Sequence, residues 1–139
     1  MILLDATALV AFLSGEPAAD EAEEILRAGE AAIVATNLTE ALDILVRVRG
    51  LDLDAVEAKL VPVLATSLEV LAVGEAEARR AASIRSEHYH RQRAPLSLAD
   101  CMLIASAAVH GAAVATSDTL VAEVAAEEGV GVVTMPGTR

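Results

Sequence analysis

Residues 96–118 read LSLADCMLIASAAVHGAAVATSD, and the order of signals within them decides the fold. Ser97 is a favoured helix N-cap, the largely apolar run behind it fills a helix, and Gly111 stops it. Ala112 to Ala115 then reads as a short apolar strand, and Ser117 opens a further helix to about Glu128. A strand that is apolar at every position, rather than at alternate ones, is covered on both faces. Helix, buried strand and helix in succession form the unit of a parallel sheet with helices on both sides.

The same alternation extends in both directions. Met1–Leu4, Ala31–Ala35, Glu69–Val73 and Val130–Thr134 are the other predicted strands. Between them, helices are expected over Ala6–Leu13, from Pro17 to about Ala28, from Asn37 through Arg49, from an Asp52 or Asp54 cap to about Ala65, and from Glu75 into Glu87. Ser14-Gly15, Gly29 and Gly50 supply the breaks, and Pro17 suits a first helical turn. Residues 88–95, HYHRQRAP, are polar, basic and closed by a proline, so they read as a loop. The tail after Pro136 is expected to fray. No repeat, linker or low-complexity tract divides the chain, and residues 1–139 are expected to form a single α/β domain with a mostly parallel sheet of about five strands.

The chain has 139 residues, 55% of them hydrophobic and only 1% aromatic, so Ala, Val, Leu and Ile must pack the core. A net charge of −11 argues against a protein that coats nucleic acid through its overall field, though not against a local basic site. Cys101, the one cysteine, excludes an internal disulfide and a multi-cysteine zinc site and fits a reducing cytoplasm. Its apolar helical setting marks it as a small buried hydrophobe. The start, MILLDAT, lacks the basic lead of a signal peptide, and Cys101–Val109 is far short of the roughly 20 residues of a membrane span. A cytoplasmic protein with no membrane partner is expected.

Open parallel sheets bind ligands beyond the carboxyl ends of their strands. Four acids fall there: Asp5 after the first strand, Glu40 in Asn37-Leu38-Thr39-Glu40 after the second, Asp100 in Ser97-Leu98-Ala99-Asp100, and Asp118 in Ala115-Thr116-Ser117-Asp118. Each also has a helix-capping reading. Asn37 with Glu40 and Ser97 with Asp100 resemble capping boxes, and Asp5 and Asp118 can cap helices or complement their dipoles. Their joint position adds a second reading, because neighbouring strand ends would draw the carboxylates together. Like charges about 4 Å apart repel by roughly 4 kcal/mol at a protein surface. Carboxylate and water oxygens suit magnesium or manganese, which can activate water and stabilise charge on a phosphoryl oxygen. The acids therefore point to metal-assisted phosphodiester hydrolysis.

These stretches resemble the four acidic motifs of PIN domains, and in length and in SLADCMLIA (residues 97–105) the chain is most similar to the VapC toxins. The last two motifs, ending in Asp100 and Asp118, are the most specific. The resemblance implies a Mg2+- or Mn2+-dependent endoribonuclease, usually a homodimer, that acts on RNA and is inhibited by a cognate antitoxin. It implies that Asp5, Glu40, Asp100 and Asp118 hold metal and position the attacking water. Thr116 would support them by hydrogen bonding to a carboxylate or ligand water. The first motif departs slightly from the usual, with Ala at position 6 and the hydroxyl on Thr7.

Arg79, Arg80, Arg85, Arg91 and Arg93 cluster in one stretch, within which Arg85, Arg91 and Arg93 are candidate RNA-phosphate contacts. The alternative is a solvated helix end. Tyr89 alone could stack a base, which argues against an aromatic platform. His88 and His90 read as polar loop surface rather than as acid–base groups or metal ligands, His110 as structural, and Asp43 as the i,i+4 partner of Arg47. Two other functions fit less well. A catalytically inactive PIN-like interaction module would be expected to lack one of the acids, and a phospho-acceptor signalling domain would need a lysine late in the chain, whereas the only one is Lys59. A dinucleotide- or P-loop-type fold lacks its glycine motif.

Overall fold

The computed structural model describes residues 1–137. Its strands are β1 (Ile2–Leu4), β2 (Ala31–Val34), β3 (Glu69–Leu71), β4 (Ala113–Thr116) and β5 (Val132–Thr134). Its α-helices are α1 (Ala6–Ser14), α2 (Ala19–Arg27), α3 (Ala35–Asp43), α4 (Leu53–Thr66), α5 (Glu75–His88), α6 (Leu98–His110) and α7 (Thr119–Glu127). All strand pairs are parallel, in the order β3-β2-β1-β4-β5. The expected α/β architecture, with five parallel strands in one sheet, is therefore observed.

Side chains alternate across the sheet, and each face meets its own layer. Leu4, Ala31, Ile33 and Ala115 pack with residues of α1 to α4, such as Leu9, Ile25, Ala41 and Leu60. Leu3, Ala32, Val34 and Val114 pack with residues of α5 to α7, such as Ile84, Ile104 and Val124. Small and branched side chains let the helices approach closely, so two aliphatic layers form without help from aromatics. Cys101 is buried in the second layer, where desolvation pushes its thiol up to about 11 and leaves it a packing group.

From β1 the chain moves outward through β2 to β3, then crosses back to add β4 and β5 on the other side. The winding thus reverses between β1 and β4. A crevice at the carboxyl ends of those two strands is the natural ligand site of such a sheet.

Several boundaries differ from the expectation for identifiable reasons. Pro17 lies in a turn closed by Ala19 N–H donating to Glu16 C=O (2.9 Å), so α2 begins two residues past it. β2 runs into α3 without a loop: Val34 is the last extended residue and provides no side-chain cap. The Asn37–Glu40 capping box is therefore absent, and Glu40 lies in the second turn instead of the first. The expected helix to Arg49 ends in a π-helical segment, Ile44–Val48, where Arg49 N–H donates to Ile44 C=O at 2.9 Å. β3 stops at Leu71 because its only neighbour, β2, ends opposite it at Val34. α5 continues to His88, one residue into the expected loop. Of the tail after Pro136 that is expected to fray, residues 138–139 lie outside the described residues.

Candidate active site

Asp5 leaves the end of β1 with its backbone N–H donating to Ala115 C=O of β4 at 3.1 Å. This register carries its side chain into the crevice between the two strands, where the residue is 6% exposed. Oδ1 accepts from Thr7 Oγ1 (2.9 Å) and from Ala8 N–H (2.7 Å), so Asp5 also caps α1. Oδ2 accepts from Thr116 Oγ1 at 2.5 Å. Thr116, the last residue of β4, is 1% exposed and has a second task, since its Oγ1 accepts from Asp118 N–H at 3.0 Å. One hydroxyl thus ties the first and fourth acidic motifs together. Thr7, set two residues past Asp5, supplies the hydroxyl that the sequence shifts by one place.

Asp100 lies in the first turn of α6, half-buried. Its Oδ2 accepts from Ser97 N–H at 3.0 Å while Ser97 Oγ accepts from Asp100 N–H at 3.0 Å, so this capping box is present. Asp118 is exposed, and its Oδ1 caps α7 by accepting from Leu120 N–H (2.9 Å) and Val121 N–H (3.4 Å). Glu40 stands partly exposed on α3, a helix that packs against α6. One turn before it, Asn37 is 1% exposed with Oδ1 buried and unpartnered.

Capping and convergence are therefore not exclusive: three of the four acids cap helices, and electrostatics still couples all four. Burial raises the Asp5 carboxyl above its ordinary value despite its three donors, and Asp100 adds to the effect. Glu40 is raised by burial first, then by Asp100, Asp5 and Asp43. Asp100 is raised by burial and by Asp118, against the lowering bonds from Ser97. The crevice thus concentrates negative charge that no arginine or lysine among the described residues neutralises in an ion pair.

The donor set is all oxygen. Asp100 Oδ1, Asp118 Oδ2 and both Glu40 oxygens receive no hydrogen bond from the described residues, leaving lone pairs free for a cation or its waters. Among those residues the only His/Cys/Asp/Glu trio with ligand atoms all within 4.8 Å is Glu87, His88 and Glu128, so the crevice acids stand more widely spaced. All-oxygen donors of this kind fit a hard divalent cation such as magnesium, which keeps several waters and takes one or two carboxylates directly.

The basic stretch divides. Arg79 pairs with Glu75 (3.2 Å) and Arg80 with Glu128 (3.3 Å), whereas Arg85 stacks on Tyr89 at 4.6 Å from the ring centroid. Arg91 and Arg93 are exposed and take part in no ion pair among the described residues. His90 Nδ1 accepts from Gln92 N–H and Arg93 N–H, which shapes the loop. His110 reaches Glu77 at 3.4 Å, and Asp43 forms the expected pair with Arg47 at 2.8 Å. His88 departs from expectation: ending α5 instead of lying in the loop, it is held among Glu87, Glu127 and Glu128. The sequence carried no signal for that cluster, because Glu128 is forty residues away.

Comparison with known proteins agrees with the fold. By sequence, no curated protein matches. Among solved structures, the chain is similar to VapBC2 from Rickettsia felis bound to a promoter DNA fragment, with 16% identity, a TM-score of 0.74, and 98% of this chain and 100% of that one covered. It is similar to FitAcB from Neisseria gonorrhoeae, at 24% identity and a TM-score of 0.68, covering 96% and 97%. It is similar as well to Mycobacterium tuberculosis VapC20, a sarcin–ricin loop cleaving toxin, at 19% identity and a TM-score of 0.68, covering 88% and 94%. Below 25% identity these likenesses speak for the fold. The sequence itself matches the PIN domain over residues 2–127, a span that takes in all four acidic motifs, and the chain belongs to the PIN-domain family.

Proposed function

We propose that this chain is a Mg2+- or Mn2+-dependent endoribonuclease and the toxin of a toxin–antitoxin pair. In this reading it is cytoplasmic, works as a homodimer, hydrolyses RNA phosphodiester bonds and is held inactive by a cognate antitoxin. The observation that carries the chemistry is Asp5, buried at the β1/β4 crevice and coupled to Glu40, Asp100 and Asp118, with no arginine or lysine among the described residues paired to them. The partner assignment is supported by the structural neighbours, which include a VapBC2 complex and a toxin–antitoxin complex from Klebsiella pneumoniae. VapC20, described as cleaving the sarcin–ricin loop, supports RNA as substrate.

Asp5, Glu40, Asp100 and Asp118 would hold the cation, which when bound supplies a polarised water and a counter-charge for phosphoryl oxygens. Thr116 and Thr7 fix the Asp5 carboxylate, so its remaining lone pair points in one direction. Glu40, bonded to nothing else among the described residues, is free to accept a proton from water or orient it. Arg85, Arg91 and Arg93 would contact RNA phosphates and position the strand without reading its bases. No helix of the described residues is long and apolar enough to cross a membrane.

The test is incubation of the purified protein with structured RNAs, with and without magnesium, beside an Asp5→Asn variant. Cleavage is expected only for wild type with the ion. Undiminished cleavage in excess chelator would remove the metal mechanism, and equal cleavage by Asp5→Asn would remove the site.

A further inference from the structure

At the far end of α5 from Glu75, a second group of ligating side chains gathers. His88 closes α5, and Glu128 lies just past the last residue of α7. Ligand atoms of Glu87, His88 and Glu128 all lie within 4.8 Å of one another. His88 Nε2 is 2.9 Å from Glu128 Oε1 and 3.9 Å from Glu87 Oε2, while Nδ1 is 3.3 Å from Glu127 Oε2.

Two features separate this group from an ordinary surface ion pair. A neutral imidazole has one N–H, so it can satisfy a carboxylate at only one nitrogen. Here carboxylates face both. The other nitrogen then turns its lone pair toward an anion, an arrangement relieved by a second ring proton or by a metal ion on that side. The charge balance points the same way: of the three carboxylates around the ring, Glu128 alone is paired with a guanidinium among the described residues, that of Arg80 at 3.3 Å, so Glu87 and Glu127 are left without one.

We propose that this is a second divalent-metal site, separate from the β1/β4 crevice, for an imidazole-preferring first-row ion of the zinc class. Nε2 of His88 ligates with Glu87 and Glu128, and Nδ1–H donates to Glu127. A ligating histidine whose other ring N–H is held by a carboxylate has its tautomer and orientation fixed. Bonds of 2.0–2.1 Å to a tetrahedral ion place ligands roughly 3.3 Å apart, and the observed 2.9 and 3.9 Å bracket that separation. Imidazole selects zinc, cobalt, nickel or copper over magnesium, so the two sites would sort ions by chemistry. With the ion in place, the ends of α5 and α7 are tied together at the point where the loop bearing Arg91 and Arg93 begins.

The test is titration of zinc, and separately of cobalt(II), into the chelator-treated full-length protein, followed by calorimetry and cobalt absorption. Wild type, Asp5→Asn and His90→Ala are each expected to take up one zinc at the same affinity, and His88→Gln to bind at least about tenfold more weakly. On zinc addition to wild type, histidine NMR signals should move for His88 and not for His90 or His110. That readout decides the matter even if His88→Gln unfolds. Zinc uptake unchanged in a folded His88→Gln protein, uptake lost in Asp5→Asn, or an unmoved His88 ring would overturn the proposal. Because Asp5→Asn is expected to remove RNA cleavage and not zinc uptake, failure here leaves the nuclease reading untouched, and the reverse.

Discussion

The crevice and the basic stretch from Arg79 to Arg93 hold charge in opposite ways. In the crevice, Asp5, Glu40 and Asp100 are raised by burial and by neighbouring carboxylates, and the hydrogen bonds of Asp5 and Asp100 come from hydroxyls and backbone amides. In the basic stretch, Arg79 and Arg80 have carboxylate partners, and the remaining cations face water or an aromatic ring. Desolvation makes the first region intolerant of change and solvent makes the second forgiving. Unbalanced buried charge is strain that a fold retains where a ligand relieves it, whereas exposed charge imposes little on the fold and serves what approaches it.

The sharpest break in this contrast is chemical. Asp5→Asn leaves an acceptor for Thr7 or Thr116 but removes the buried charge, and RNA cleavage is expected to fall on the order of 10²–10³-fold, the scale of losing one preorganised electrostatic group. Single-turnover cleavage at saturating magnesium measures it. A variant as active as wild type would move the site away from β1. Next comes Thr116→Val, which keeps the shape of the β4 end and strips two hydrogen bonds. Asp5 Oδ2 and Asp118 N–H lose their shared partner, so unfolding stability should drop by about 1–3 kcal/mol. Denaturant unfolding reports this, and an unchanged midpoint would mean that the hydroxyl is not the tie between the two motifs.

The forgiving side is probed by Arg91→Glu with Arg93→Glu. Stability should stay within about 0.5 kcal/mol, as for ordinary surface substitutions. RNA binding to a cleavage-silent Asp5→Asn background should weaken, and the slope of log affinity against log salt should flatten by about one unit per arginine. An unaltered slope would return the loop to plain solvated surface.

How much of this was legible from the residues follows from the physics. Continuous apolar strands and glycine stops are local, so the alternation and the parallel sheet could be read directly. The acids could be placed at strand ends because the sheet rule is general, although nothing in the sequence gave the strand order that sets Asp5 beside Thr116. The capping reading and the site reading were not separable by sequence, since at Asp5, Asp100 and Asp118 a carboxylate that caps a helix also stands at the carboxyl end of the sheet. The box at Asn37 failed because β2 passes into α3 without a loop, a backbone event that side-chain pattern does not encode. The His88 cluster was invisible for the reason that contact between α5 and the end of α7 is tertiary.

The smallest expected effect, and the one that best separates cap from charge, is Asp100→Asn. Asparagine keeps an acceptor for Ser97 N–H, so the box survives in part, and losing the first-turn charge costs about 0.3–1 kcal/mol. Against this, neutralising a half-buried carboxylate removes its desolvation and its repulsion with Asp118, Asp5 and Glu40. A carboxyl raised in the folded state makes that state bind more protons than the unfolded chain, so stability falls as pH rises. The contribution of Asp5, Glu40 and Asp100 is present below the ordinary carboxylate values, 3.8 for Asp and 4.5 for Glu, and is lost as pH climbs through the raised ones. Without magnesium, wild type should therefore gain from mild acidification, Asp100→Asn should gain less, and at neutral pH the variant should be at least as stable. A ligand bound only by the folded state stabilises it by RT ln(1 + [L]/Kd), so magnesium should raise the melting temperature of wild type more than that of the variant. Thermal unfolding of both proteins across pH and magnesium gives the answer. Equal magnesium shifts in a variant that is uniformly less stable would make Asp100 a cap alone, and the contrast between the two regions would then rest on Asp5 and Glu40.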